Sequence, residues 1–427
     1  MQFYIYTLGC KVNTYESNVI SDLLINNNFK KADTPSDAQI FIVNTCTVTN
    51  TADNKSLKMI RQAHRINESA IIVVCGCMSQ HEYKRLSDMP GVEIIIGNKN
   101  KSKIPEYIET YLKNRKQIID IYNLDEVPFE TMKLNNFDKT RAFVKIQDGC
   151  NNFCSYCIIP YTRGSVRSKP KNEVLEEISN LVSQGHEEVV LTGIHTGHYG
   201  SEFNDYKFSD LLRDILKING LKRLRISSIE ITELNDQILD IIHNNKVLVD
   251  HMHIPLQSGS DVILKSMNRK YDKKYFIEKI NKIRQIRPDI SITTDVIVGF
   301  PGETEENFAE TIETIKDINF SKIHVFPYSA REGTKSTLLP NQISENIKKE
   351  RVKVLLSLSK ELEINYMNKF VGKELEFIPE VEKEGYLYGH TGNYLYIKVK
   401  ACKELLHSAT LVKIEEVSYP YCISKIV

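Results

Sequence analysis

Three cysteines, Cys150, Cys154 and Cys157, stand at C-x3-C-x2-C spacing, directly after an apolar strand-like run from Ala142 to Ile146 and before a helical pattern. No other feature restricts the chain as much, because three thiolates on one short loop can wrap a single small inorganic body. Iron–sulfur clusters take cysteine thiolates as ligands. Three cysteines on a cube of four irons leave one iron without a protein ligand, open to a substrate or cofactor. The alternatives are a zinc site, or a disulfide with a spare thiol. Zinc takes four tetrahedral N or S ligands, and no His or further Cys lies between Arg141 and Gln184 to complete such a set.

Upstream, from Phe3 to about Arg115, β-rich apolar runs (FYIYTL, QIFIVNT, AIIVVCG, VEIIIG) alternate with amphipathic stretches near Tyr15 to Asn26 and Ala52 to His64. This alternation predicts an open parallel sheet flanked by helices over residues 1–115. Cys10, Cys46 and Cys77 each fall at the carboxyl end of a different run, and open α/β sheets bind ligands just outside those ends. A lone free cysteine reads as a small core residue. Three in register at strand ends point instead to a second cluster with three protein ligands. Cys75 competes with Cys77 on the same strand parity. We assign Cys77 as the ligand, because Gly76-Cys77 repeats the Gly9-Cys10 arrangement where the strand gives way to a loop, and Cys75 then reads as core.

Residues 116–139 are polar and aperiodic and read as a linker. Over 140–368, six strand-like runs (AFVKI, EVVLTG, KRLRISS, HMHIP, ISITTDVIVG, KIHVFPY) alternate with helical patterns, which predicts a partial (β/α)6 barrel with its functional groups at the carboxyl ends of the strands. Those ends carry Thr192-Gly193, then Ser227, Ser228 and Glu230, then Gln257-Ser258-Gly259, then Gly299-x2-Gly302-Glu303. Two basic stretches stand out. Met267 to Pro288 holds eight Lys or Arg against two acids and reads as a solvated helix face. Tyr161 to Lys171, YTRGSVRSKPK, lies beside the cysteine loop and is the better candidate for meeting phosphates.

A long helical pattern from Ser344 to Phe370 leads out of the barrel. Residues 369–427 are strand-rich and turn-punctuated, which predicts a small antiparallel β-barrel of the oligonucleotide-binding type. Tyr386, Tyr388, Tyr394 and Tyr396 would offer base-stacking faces, or pack one another as cross-strand pairs. Eight Lys, no Arg and eight Glu from Lys369 onward leave no basic footprint there.

The length of 427 residues allows two or three domains. A net charge of +1 supplies no global field for nucleic acid, so such a partner would be held by local patches. The longest apolar run, AIIVVCGCM, is too short to span a bilayer, and MQFYIYTLGC has no basic n-region. A cytoplasmic location without membrane association is the expectation, and nine cysteines there read as ligands rather than disulfides.

The loop DGCNNFCSYCIIP is similar to that of the radical S-adenosylmethionine (SAM) enzymes, and the resemblance implies that SAM binds the open iron and yields a hydrogen-abstracting radical. Thr192, Gly193, Ser228, Glu230, Gln257 and Gly299 then match positions that hold SAM. Across nearly the whole chain, TLGCKVNTYES, VNTCTVT, GCMSQ, HIPLQSGSDVILKSMNR, VIVGFPGETEENF and FPYSAREGT, in this order, resemble the methylthiotransferases. These are radical SAM enzymes with an N-terminal cluster domain, a radical barrel and a C-terminal TRAM barrel. LGCKVN, NTCTVT and LTGIHTGHYG with His195 are similar to the group acting on N6-threonylcarbamoyladenosine beside the tRNA anticodon; the isopentenyladenosine group reads GCQMN and the ribosomal-protein group GCPKN. The resemblance implies two [4Fe-4S] clusters: Cys150, Cys154 and Cys157 hold the one that cleaves SAM, and Cys10, Cys46 and Cys77 hold an auxiliary one that carries the sulfur. Adenine C2 at position 37 would accept the methylthio group. The implied partners are the tRNA anticodon stem-loop, a low-potential electron donor and a sulfur source. Competing readings are methylthiolation of isopentenyladenosine or of a ribosomal protein side chain, and a non-enzymatic metal-cluster RNA-binding protein.

Overall fold

The computed structural model describes residues 1–134 and 140–427; the last five residues of the stretch read as a linker, 135–139, lie outside the described residues. The N-terminal runs of Ile and Val have no polar face to give to water, so they form strands covered on both sides. These are β1 (Gln2–Thr7), β2 (Lys30–Lys31), β3 (Ile40–Thr45), β4 (Ile71–Gly76), β5 (Val92–Ile96) and β6 (Ile118–Asp120), with helices α1 (Lys11–Asn26), α2 (Asn50–Ile66), α3 (Cys77–Ser87) and α4 (Ile104–Asn114). All pairs are parallel, in the order β2-β1-β3-β4-β5-β6, and β3 and β4 are buried at every position. The three strands that precede Cys10, Cys46 and Cys77 are therefore neighbours. The linker reading of 116–139 needs correction at its start. Ile118–Asp120 pairs with β5 as an edge strand; two isoleucines in a polar context suffice once a sheet edge is there to receive them.

The central barrel runs from β7 (Arg141–Lys145) through the short hairpin β8 (Gln147–Asp148) and β9 (Arg167–Ser168), which brackets α5 (Ile159–Arg163). It continues with α6 (Lys171–Ser183), β10 (Glu188–Thr192), α7 (Phe208–Ile215), β11 (Arg223–Ile226), α8 (Asp236–Asn244) and β12 (His251–His253). The short α9 (Asp261–Ser266) follows, then α10 (Lys273–Ile286), β13 (Ser291–Val298), α11 (Glu305–Ile318) and β14 (Lys322–Pro327). The strands β7, β10 and β11 pair in parallel, as do β12, β13 and β14. The two halves meet where the Leu224 and Val249 amides donate to Val247 and Leu224 carbonyls at 2.7 and 3.0 Å.

Successive strand residues point to opposite faces. The outer set, with Ala142, Val144, Val189, Leu191, Leu224 and Ile226, is buried under the helices in one core. The inner set on the same strands includes Arg141, Lys145, Glu188, Thr192, Arg223 and Arg225. A complete (β/α)8 barrel fills its interior with branched apolar side chains; six strands with these charges make a polar chamber instead.

Helix α12 (Glu345–Asn368) leads to a closed barrel of β15 (Glu374–Lys383), β16 (Tyr386–Thr391), β17 (Tyr396–Lys400), β18 (Thr410–Ser418) and β19 (Tyr421–Ile426). The expected antiparallel pattern holds except at β17–β19, which pair in parallel to close the barrel. The turn between β16 and β17 plugs the amino-terminal mouth of the central barrel: Arg225 Nη1 donates to the Gly392 carbonyl at 3.3 Å, and Tyr394 stacks on His251 at 4.5 Å between ring centres. Tyr394 is thus spent on an internal contact. Tyr388 and Tyr396 pack on Tyr421 at 5.4 and 5.1 Å, as cross-strand neighbours do. Tyr386 stays exposed.

Candidate metal-cluster site

Each N-terminal cysteine leaves its strand where the backbone turns sharply. Gly9 has φ +91°, and a Cβ there would come within 2.8 Å of the Cys46 sulfur. A side chain at that position would push into the cysteine, so glycine lets the Cys10 and Cys46 turns touch. Gly76, with φ +102°, lies equally close against the Thr45 carbonyl and opens α3 at Cys77. Asn13 on α1 donates to the Leu8 and Thr45 carbonyls at 2.7 and 2.9 Å, tying the two turns together. Cys75 takes no part: it is fully buried among Ile5, Ile40, Ile71 and Ile94, and burial pushes its thiol up to about 12.

The second triad is held from three directions. The Cys150 amide donates to Gly164 at 3.0 Å and the Ser155 amide to Met267 at 3.0 Å. Arg269 Nη1 donates to the Cys154 sulfur at 3.4 Å and pairs with Glu230. His195 Nδ1 is 3.6 Å from the Cys150 sulfur, and its Nε2 meets Glu233, which also takes His198 at 3.2 Å. Burial works against charging His195, but Cys150 and Glu233 outweigh it and raise the imidazole to about 10.

Arg163, six residues beyond Cys157, joins the two triads. Its guanidinium is fully buried. Nε donates to the Cys77 sulfur at 3.2 Å, Nη2 to Asn13 at 2.8 Å, and Nη1 to Glu16 and Asp148, each at 3.1 Å. Asn98 adds a second tie, donating to the Thr162 carbonyl at 2.8 Å and to the Cys77 sulfur at 3.5 Å. Glu16 also pairs with Lys101 and with Lys145 at 2.8 Å. Burial alone would raise the Glu16 carboxyl, but Arg163, Lys101 and Lys145 hold it well below the usual carboxylate range. Three buried cations face two carboxylates, Glu16 and Asp148, so one positive charge is left facing Cys77. That surplus suits thiolate ligands of an anionic cluster.

Four sulfurs on one zinc at about 2.3 Å would stand roughly 4 Å apart. Among the described residues, the His, Cys, Asp and Glu ligand atoms that all fall within 4.8 Å of one another belong to His195, His198 and Glu233. The sulfurs of neither cysteine triad all fall within that distance.

The proposed SAM positions are not all in one place. Thr192 is buried at the end of β10, its carbonyl accepting from the Ile146 amide at 2.9 Å. Gly193 packs on Gln147, whose Oε1 accepts from the His195 amide at 2.7 Å. Ser228 is half-buried beyond β11, and Glu230 reaches the cysteine loop through Arg269. Gln257 holds φ +66° and donates its amide to Asp295 at 2.8 Å. Gly299 is turned toward α12: a Cβ would collide with Lys348, and its amide donates to Glu303 at 2.9 Å. Glu303 in turn accepts from Arg351 at 2.5 Å.

The phosphate reading of Tyr161 to Lys171 is overturned for most of its cations. Arg163 and Lys169 are fully buried, Lys169 pairs with Glu177, and Arg167 is spent on the Leu124 and Arg163 carbonyls at 2.7 Å. Lys171 remains exposed. Arg163, Asn13, Asn98, Arg269 and Glu233 were not legible as site residues. Arg269 sits in a stretch that reads as a solvated helix face and Arg163 in one that reads as meeting phosphates, and only folding turns both inward.

Two family models match the chain: one described as the Radical SAM superfamily, over residues 144–315, and one described as Uncharacterized protein family UPF0004, over residues 2–97. The threonylcarbamoyladenosine tRNA methylthiotransferase MtaB of Bacillus subtilis is 42% identical over 97% of this chain and 94% of its own length. The chain belongs to the radical SAM methylthiotransferase family. Within that family, the protein of the same name from Aquifex aeolicus is 37% identical over 93% of this chain and 97% of its own. A tRNA-2-methylthio-N(6)-dimethylallyladenosine synthase of Clostridium perfringens is 35% identical over 96% and 94%. Among solved structures, the radical SAM methyltransferase TsrM of Kitasatospora setae shares the fold with a TM-score of 0.55, covering 76% of this chain and 72% of that one at 14% identity. As a radical SAM protein, the methylthiotransferase uses SAM with a [4Fe-4S] cluster. No helix among the described residues is long and apolar enough to cross a membrane.

Proposed function

We propose that the chain is a tRNA (N6-L-threonylcarbamoyladenosine(37)-C2)-methylthiotransferase, giving 2-methylthio-N6-threonylcarbamoyladenosine. The reading is carried by Arg163, which follows the Cys150–Cys157 loop and donates from its buried guanidinium to a sulfur of the other triad, Cys77. Cys150, Cys154 and Cys157 would hold the cluster that serves SAM, and Cys10, Cys46 and Cys77 a second [4Fe-4S] cluster. An adenine C–H offers no leaving group for polar chemistry, and the bound cofactors supply the one-electron route that it needs.

The chain's own residues position. Arg163, Asn13 and Asn98 set the separation of the triads, while Arg269 and His195 hold the SAM-side loop. The polar barrel lumen receives the base. Thr192, Gly193, Ser228, Glu230 and Gln257 are the proposed SAM contacts, and Gly299 serves through its backbone turn. The tRNA anticodon stem-loop, a low-potential electron donor and a sulfur source are the proposed partners.

The test is expression in a host that lacks this modification, followed by mass spectrometry of tRNA nucleosides. The 2-methylthio-N6-threonylcarbamoyladenosine peak is expected with the wild-type chain. Methylthiolated isopentenyladenosine in its place, or a methylthiolated ribosomal peptide with no modified nucleoside, overturns the reading.

A further inference from the structure

Beneath the cysteines, the floor of the barrel lumen pairs each of its three guanidinium groups with a carboxylate, and Asp295 meets His253 at 3.1 Å. Arg225 pairs with Glu188 at 2.7 Å, Arg141 with Glu380 at 3.1 Å and Arg223 with Glu376 at 2.8 Å. Tyr394 lies among them, with the Arg225 and Arg141 guanidinium carbons 4.9 and 5.5 Å from its ring centre. Lys11 brings a further cation. It follows Cys10 directly, and its ammonium is within electrostatic range of Tyr394, Arg225, Arg141 and Glu188, and of His251. Among the described residues it has no hydrogen-bond or ion-pair partner.

A second unmet group faces the same place. His251 is buried, stacked on Tyr394, and its Nδ1 has no hydrogen-bond partner. Its Nε2 is taken by Thr293 at 3.1 Å. An unpaired buried ring nitrogen costs free energy that a bound partner would recover, and the half-buried ammonium of Lys11 would gain from an anion there.

We propose that Lys11, with His251, Arg225 and Tyr394 around it, forms a carboxylate-binding subsite that takes the free α-carboxylate of the threonylcarbamoyl group. The inference rests on the proposed substrate and deepens it. Acylating threonine through its amine leaves its carboxylate free, so this base reaches the chamber as an anion, whereas an isopentenyl base is neutral. Lys11 is the fourth residue of LGCKVN, so the side chain that would read the substrate is the neighbour of a cysteine assigned to the second cluster. A site built around a charged group rejects the analogue that lacks it, because its own polar groups are then left unpaired.

The test uses reconstituted full-length enzyme and anticodon stem-loop RNA in two forms, the natural threonylcarbamoyl acid and its methyl ester. Binding is read by fluorescence anisotropy and methylthiolation by mass spectrometry. A lost charge-assisted hydrogen bond corresponds to about 10- to 100-fold, so the ester is expected to bind wild type weaker than the acid by that factor. Lys11→Gln is expected to weaken binding of the acid by a similar factor and of the ester hardly at all; Lys11→Arg is expected to keep most of the acid's affinity. Iron content and melting temperature establish that the variants are folded and loaded.

Equal binding of acid and ester by the wild type overturns the inference and leaves the proposed substrate standing. Equal losses on acid and ester in Lys11→Gln overturn it as well, since they mark Lys11 as structural. A SAM-side origin of the anion would show as a Lys11→Gln defect in SAM binding with RNA affinity intact, and also overturns it. If wild type leaves the acid form unmodified yet methylthiolates an isopentenyladenosine stem-loop, the proposed function itself has failed.

Discussion

Arg163→Ala is expected to cost about 3–5 kcal/mol of folding stability, the usual penalty for removing one partner of a buried ion pair, and to part the two cysteine triads. Glu16 and Asp148 lose the guanidinium that both share, and Asn13 and Cys77 lose their donor. Lys101 and Lys145 stay on Glu16, so the carboxylate is not abandoned, but neither ammonium is bonded to Asn13 or Cys77 in its present position. The domains meet at this joint, so the variant should melt lower and expose the 121–134 stretch to protease while the isolated sheet and barrel cores persist. Arg163→Lys should fall between, because an ammonium keeps the charge but cannot fork to several acceptors. Denaturant unfolding and limited proteolysis of the apo protein measure both effects. Wild-type stability in Arg163→Ala would mean that the guanidinium only fills space.

Cys77→Ala is expected to lower iron bound after anaerobic reconstitution from about eight to about four per chain and to abolish methylthiolation while SAM cleavage continues. Cys75→Ala, two residues away, is expected to keep the full iron content and to lose only about 1 kcal/mol of stability for the small cavity left in the core. The contrast follows from position alone. Cys77 faces Arg163 and Asn98 at the joint, while Cys75 is packed among isoleucines with a thiol that burial holds protonated. Equal iron in the two variants would remove the second cluster. Metal analysis and cluster spectroscopy of the two proteins side by side decide it.

Much of the architecture was legible because periodicity is a local property. The Ile and Val runs of β3 and β4 had nowhere to go but the middle of a sheet, and the C-x3-C-x2-C loop placed three thiols together within one turn of chain. The edge strand Ile118–Asp120 escaped because three residues carry too little pattern to read. Lys169 and Arg167, read as phosphate donors, are occupied by Glu177 and by backbone carbonyls, and no local signal distinguishes a cation that will be buried from one that will not. Tyr394 is a similar case: as one of four tyrosines in a strand-rich tail it was indistinguishable from Tyr396, yet it caps the barrel floor.

By itself, the sequence determined which residues could ligate and on which kinds of element they would stand, because ligand type, spacing and strand ends are written along the chain. Only the tertiary structure decided that β1, β3 and β4 lie side by side, that Arg163 turns inward to bind Cys77, and that Lys11 reaches the lumen with no ion-pair partner among the described residues. Those outcomes depend on strand order and on which buried charges find partners. The first is set by pairings such as Phe3 with Ile40 and Ile40 with Ile71, the second by contacts between residues more than a hundred positions apart, such as Glu16 and Lys145 or Asn13 and Arg163, and no local window of sequence contains them.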